Sequence, residues 1–323
     1  MTAFSPPWLL RSPHVQTLGA ALPLHLGVPL GVRAQALRVP IDGGALHASA
    51  GWQHGARPAV ILVHGVGGSI DSHYVVRAAR AFHGAGFHVV RLNQRGAGSS
   101  LGHVPSLYHA GLTADLRAAA RFVGAMDGVQ SVALVGFSLG GNCALKLAAE
   151  PDASSCLRAV VSISAPLDLA ATCRLLNRPL RRPYERYVLR ALLAQARAFA
   201  AHHPARPGFD VARLARVKSL WDYDDAVVAP MHGLGTAAQY YAQMSAGPAL
   251  PNIGVPTLLV HASDDPMVPG STVEPFLPRR SRAVELAWSA RGGHVGWFGG
   301  LAPSDWTRTW AVDRALEFLA RSG

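Results

Sequence analysis

Between Ser131 and Ala149 the sequence runs from a short apolar stretch, Ser131–Val135, through Gly136-Phe137-Ser138-Leu139-Gly140 into an Ala- and Leu-rich segment. The first part predicts a buried strand and the last a helix, so the residues between must reverse the chain very sharply. Such a turn forces Ser138 into a strained backbone conformation and tolerates only small residues at 136 and 140. It also presents the serine hydroxyl at the carboxyl end of a sheet, beside a helix N-terminus where negative charge is favoured. A chain with this element at its middle is committed to strands followed by helices, and Ser138 is its candidate nucleophile.

The flanking sequence keeps that rhythm. Two alternating segments from about Ala34 to Trp52 surround Asp42-Gly43-Gly44 and predict a β-hairpin. Pro58–Val63, His88–Leu92, Ala159–Ile163 and Pro256–His261 read as short buried strands. Helices are predicted at about Tyr74–Ala85, closed by Gly86, at Leu112–Phe122, and from Pro303 to about Leu319. Alternation of this kind implies an α/β fold, its mostly parallel central sheet covered by helices on both faces. The rhythm breaks between about Leu167 and Pro251, which reads as helical and arginine-rich. The expectation is one domain spanning 1–323 with a helical cap inserted at 167–251.

At 323 residues, half hydrophobic and 15% charged, the chain has the composition of a globular protein. Its net charge of +11 comes almost wholly from arginines, since Lys146 and Lys218 are its only lysines. The cations are scattered, apart from Arg174, Arg178, Arg181, Arg182, Arg186 and Arg190, so no nucleic-acid partner is expected. Cys143, Cys156 and Cys173 form no paired pattern, which points to a reducing compartment and a cytoplasmic protein. The apolar stretch Leu18–Val32 contains Pro23, Pro29 and His25, and reads neither as an integral membrane segment nor as a signal peptide. The Gly233-Leu234-Gly235-Thr236-Ala237-Ala238 match to a dinucleotide fingerprint lacks a preceding strand. His202-His203 lacks ligand spacing. No metal and no cofactor are therefore expected.

A serine hydroxyl needs a base, and on a sheet of this kind acid and base follow the nucleophile in chain order. His261-Ala262-Ser263-Asp264-Asp265 leaves a predicted strand at the same sheet edge, and Gly292-Gly293-His294-Val295-Gly296 sets a histidine in a glycine loop. His294 is the candidate base. Asp264 and Asp265 compete as its partner; the spacing Asp265-x-x-Val268, with an apolar anchor for the loop, assigns the acid to Asp265. The glycine-rich turn His64-Gly65-Val66-Gly67-Gly68-Ser69 is the expected source of an oxyanion donor, so the Val66 and Leu139 N–H groups would form the hole. His64 itself reads as structural.

Taken together, these blocks resemble the YheT-like branch of the α/β-hydrolases, with its ABHD-type relatives. Ser12-Pro13-His14-Val15-Gln16-Thr17-Leu18 is similar to that branch's N-terminal signature. Further likenesses are Asn93-Gln94-Arg95-Gly96, Tyr108-His109-Ala110-Gly111 with Asp115-Leu116, the elbow continued to Gly141-Asn142, and Tyr223-Asp224-Asp225 followed by Pro230-Met231-His232-Gly233 and Tyr240-Tyr241. The departures Ala97 and Ala110 fall beside the motifs.

The resemblance implies hydrolysis of small carboxylic esters with short or medium acyl chains by a serine carboxylesterase. It also raises phospholipid and other lipid esters, although the membrane segment of such relatives is not seen in this sequence. An acyltransferase on the same fold and a non-catalytic binding protein are the rival expectations. Oligomeric state is not legible in the sequence.

Overall fold

The computed structural model describes residues 4–22, 34–205, 207–300, 305 and 308–322. Its centre is an eight-stranded sheet, whose inner strands are short runs dominated by β-branched and small apolar residues, while the outer ones alternate with polar positions. In chain order they are β1 (Gln35–Ile41), β2 (Gly44–Gly51), β3 (Arg57–Val63), β4 (His88–Leu92), β5 (Val129–Phe137), β6 (Ala159–Ile163), β7 (Thr257–Ala262) and β8 (Val284–Ser289). They lie side by side as β1-β2-β4-β3-β5-β6-β7-β8. The hairpin β1–β2 is antiparallel and joins β4 antiparallel, whereas β4, β3, β5, β6, β7 and β8 pair in parallel.

Helices cover both faces: α1 (Pro13–Ala21), packed beside α2 rather than on the sheet, then α2 (His73–Gly84), α3 (Thr113–Gly124) and α4 (Leu139–Ala148) precede β6. Alternation along β3 shows how the faces divide. Val60 and Leu62 pack with Val75, Ala78 and Phe82 of α2, while Ile61 and Val63 pack with Leu116, Ala119 and Val123 of α3. All four strand residues are fully buried, each worth roughly 1.5–3 kcal/mol of transfer free energy against the entropy of ordering it. Burial on both faces is why this strand reads as a continuous apolar run.

Between β6 and β7 the described residues form helices: α5 (Leu169–Leu176), α6 (Arg182–His202), α7 (Leu220–Tyr223), a π-helical turn (Asp224–Val228), α8 (Ala229–Met231) and α9 (Ala237–Met244). The last helix, α10 (Trp310–Arg321), packs beside α2, and its Ala315 and Leu316 join the buried cluster on that face.

Two local readings change. The strand β8 stands in a stretch where no single strand was predicted, because its exposure alternates irregularly along its length. The final helix begins at Trp310, since Thr309 is extended (φ −94°, ψ 155°); Pro303, its predicted start, lies outside the described residues. The predicted apolar stretch 18–32 is likewise described only to residue 22. Among the described residues no helix is long and apolar enough to cross a membrane.

The consequence for chemistry is geometric. Because β3, β5, β7 and β8 are parallel, the segments that follow them, beginning at His64, Ser138, Ser263 and Ala290, all emerge at one edge of the sheet.

Candidate active site

Ser138 sits between β5 and α4 with φ 52° and ψ −120°, a conformation that costs an L-residue of order 1–3 kcal/mol. The surroundings hold it there. Its N–H donates to the Ile163 carbonyl on β6 (2.8 Å), and its carbonyl accepts the Asn142 N–H (3.1 Å). A side chain at Gly140 would meet the His64 and Val63 carbonyl oxygens at 2.5 and 2.6 Å, and one at Gly136 would run into Gly140. Buried Asn142 then ties the start of α4 to its neighbours. Its amide donates to the Ala110 and Met244 carbonyls (2.8 and 2.9 Å) and its oxygen accepts from the Ala246 N–H (2.9 Å).

The loops after β7 and β8 bring Asp265 and His294 together. His294 Nδ1 lies 2.8 Å from Asp265 Oδ2, with the carboxylate fully buried and the ring nearly so. The other carboxylate oxygen, Oδ1, accepts the Met267 and Val268 N–H groups, both at 2.8 Å. Burial alone would push this carboxyl up; the neighbouring His294 ring, its hydrogen bond, His261 and the Val268 N–H outweigh that and hold it below the ordinary value. An ionised Asp265 only accepts, so it places the proton on Nδ1 and leaves Nε2 of a neutral ring as an acceptor. Asp264 does a different job. Its Oδ1 accepts the Gly293 N–H (3.0 Å) and braces the histidine loop.

The N-terminal block completes that brace, a role that spacing alone did not reveal. The His294 N–H donates to Thr17 Oγ1 (2.9 Å), which itself donates to the Pro13 carbonyl (2.7 Å). Gln16, buried, donates to the Leu10 and Phe298 carbonyls and accepts the Phe298 N–H (2.7 Å). Val295 and Trp297 adopt positive φ (50° and 59°), and the Val295 N–H reaches Ser164 Oγ (3.2 Å). The loop carrying His294 is thus clamped from α1 and from the end of β6.

The turn after β3 has its amides sorted. The Gly65 N–H donates to the Tyr74 hydroxyl (2.8 Å), the Gly67 N–H to the Tyr108 hydroxyl (2.6 Å), and the Gly68 N–H to the Gly65 carbonyl (3.1 Å). The Val66 and Leu139 N–H groups have no hydrogen-bond partner among the described residues. His64 supports the turn. Its Nε2 accepts the Gln94 N–H (3.1 Å), and burial pushes its ring down to about 4, so it is neutral. Arg95 beside it forms a buried two-pronged pair with Asp115 (2.9 and 2.6 Å).

Two cavities meet at these groups. The larger, about 1110 Å³, opens between α1 and α6 and is lined by Ser138, His294, Val66, Leu18, Leu180 and Tyr187, among others. The smaller, about 100 Å³, also reaches Ser138, Leu139, His294 and Val66, and extends among α5, α6 and α7. Among the described residues no cluster of metal-ligating side chains occurs. The arrangement can activate a hydroxyl beside a cavity and hold a developing negative charge.

A family model described as the alpha/beta hydrolase fold matches residues 58–279. The chain is 32% identical to "Putative esterase YheT" of Escherichia coli (strain K12), over 81% of this chain and 78% of that one. It is 27% identical to "Phospholipase ABHD3" of Mus musculus, over 78% of this chain but only 61% of the mouse protein. Its backbone resembles that of a Pyrococcus furiosus esterase with a TM-score of 0.60, covering 90% of this chain and 94% of that structure at 18% identity.

Proposed function

The chain belongs to the α/β-hydrolase fold family and to its YheT-like branch, and on that footing we propose that it is a serine carboxylesterase acting on short- to medium-chain acyl esters. Ser138 is the nucleophile, His294 the base and Asp265 the group that orients it. The observation that carries this reading is the buried His294–Asp265 hydrogen bond beside a cavity that also holds Ser138.

In the first step Ser138 Oγ attacks the ester carbonyl carbon while His294 Nε2 takes the hydroxyl proton. The carbonyl oxygen becomes an oxyanion, held by the Val66 and Leu139 N–H groups. The C–O bond to the alcohol then breaks, and the His294 proton leaves with it. In the second step water attacks the acyl-enzyme with His294 again as base, and Ser138 is regenerated. Helices α5 to α9 serve as the cap that walls the acyl side, and the larger cavity receives the remainder of the ester.

The test is hydrolysis of p-nitrophenyl esters from acetate to palmitate. Turnover is expected with an optimum among the short and medium chains; no turnover at any length would overturn the assignment. One observation favours a second reading, lipid-ester hydrolysis. Leu18, Leu180 and Tyr187 are 58%, 89% and 69% exposed at the mouth of the larger cavity, beside Arg186 and Arg190. A long-chain optimum would select that reading.

A further inference from the structure

The smaller cavity is apolar for most of its lining, with Leu169, Leu176, Leu192 and Leu220 prominent, yet Asp224 also lines it. Among the described residues no other carboxylate does so. A carboxyl on an apolar wall is costly unless something hydrogen-bonds to it. One of its oxygens is accounted for: Oδ2 accepts the Tyr241 hydroxyl (2.5 Å). The other has no partner among the described residues, and the residue retains some accessible surface. The neighbouring acid shows the contrast. Asp225 Oδ1 accepts the Ala237 N–H (2.5 Å) and fastens the start of α9, a purely structural task.

Backbone geometry supports the distinction. Asp224 opens the π-helical turn Asp224–Val228, and an inserted turn of this kind re-aims the side chains on either side of it, often at a functional site. Holding Tyr241 needs only a neutral acceptor, so the carboxyl exceeds what packing requires. Burial pushes this acid up to about 7, with the Tyr241 hydrogen bond opposing and Asp225 adding to the rise.

Resting on the assignment of Ser138 as nucleophile, we infer that Asp224 forms a polar acyl subsite and that the preferred acyl group is short and carries a hydroxyl toward its far end. A hydroxyl suits this position in either protonation state. It donates its hydrogen to the carboxylate, or accepts one from the neutral acid. An unsubstituted chain satisfies neither and leaves the carboxyl desolvated and unpaired. The volume agrees with a short chain, since about 100 Å³ is less than the roughly 150 Å³ cavity that takes one benzene ring.

The experiment compares ethyl ω-hydroxyalkanoates, from hydroxypropanoate to hydroxyhexanoate, with ethyl alkanoates of equal length in heavy atoms. Release of ethanol, which leaves in the acylation step whether the acyl-enzyme is then hydrolysed or closes to a lactone, is followed by a coupled assay against enzyme-free blanks that subtract spontaneous lactonisation. The readout is the ratio of kcat/KM within each matched pair, which does not depend on the amount of active enzyme. The parent is expected to prefer the hydroxylated partner about tenfold or more at one chain length. Asp224→Leu should bring that ratio to unity or reverse it. Asp224→Asn keeps an acceptor for Tyr241 and a donor for a hydroxyl, so it should retain most of the preference. If the Leu variant does not fold, Asp224→Ala, which removes the carboxyl without adding bulk, should bring the ratio to unity, and a ratio unmoved there overturns the subsite equally. A parent without preference at every length, or a preference unmoved in Asp224→Leu, overturns the subsite. Should Ser138→Ala still turn over both esters of a pair, the nucleophile assignment fails instead, whatever the ratio shows.

Discussion

Replacing Ser138 by alanine is expected to lower ester hydrolysis by about a thousandfold to a millionfold with the fold intact. Alanine fills the same Cβ position, and the backbone bonds from residue 138 to Ile163 and Asn142 do not involve the hydroxyl. The positive φ remains as strain in the variant, so stability should change little. What disappears is the only group in the proposed site that can form the acyl-enzyme. Binding and the two backbone donors then account for any residual rate. Turnover within a few-fold of the parent would remove Ser138 from the mechanism.

The second large effect is expected from Asp265→Asn, about ten-thousandfold in kcat, equivalent to roughly 5.4 kcal/mol of transition-state stabilisation. The argument depends on both carboxylate oxygens. Oδ1 accepts two backbone N–H groups, from Met267 and Val268, so the oxygen of an asparagine must take that place. Its NH₂ then faces His294 Nδ1, where Asp265 Oδ2 now accepts. A donor there moves the ring proton to Nε2, and the histidine can no longer take the serine proton. The loop keeps its backbone bonds, so thermal unfolding should shift far less than activity. Activity within tenfold of the parent would show that Asp265 does not set the tautomer.

Much of this arrangement is legible in the sequence where local patterns coincide with physical necessity. The apolar runs at 58–63, 88–92 and 159–163 fall on β3, β4 and β6 because strands buried on both faces are mostly apolar along their length, with His88, Arg91 and Ser162 as isolated polar residues. The glycines at 136 and 140 mark the elbow because any side chain there meets backbone. Contacts between distant segments leave no such mark. Thr17 holds the main chain at His294 across 277 positions, and Gly67 is held by Tyr108, so neither role follows from spacing. Thr17 and Tyr108 entered the sequence reading only through resemblance to a family. Asp224 is a further case, since nothing in Tyr223-Asp224-Asp225 tells which acid faces a cavity and which caps a helix. The irregular strand β8 escaped for the opposite reason, its apolar and polar positions following no clean period.

The most direct test of the account is covalent labelling by a fluorophosphonate, with the modified peptide located by tandem mass spectrometry. The account predicts a single adduct on Ser138, formed rapidly by the parent and slowed severely in Asp265→Asn, where the base is in the wrong tautomer. Absence of labelling, or an adduct on another serine with Ser138 unmodified, would contradict it.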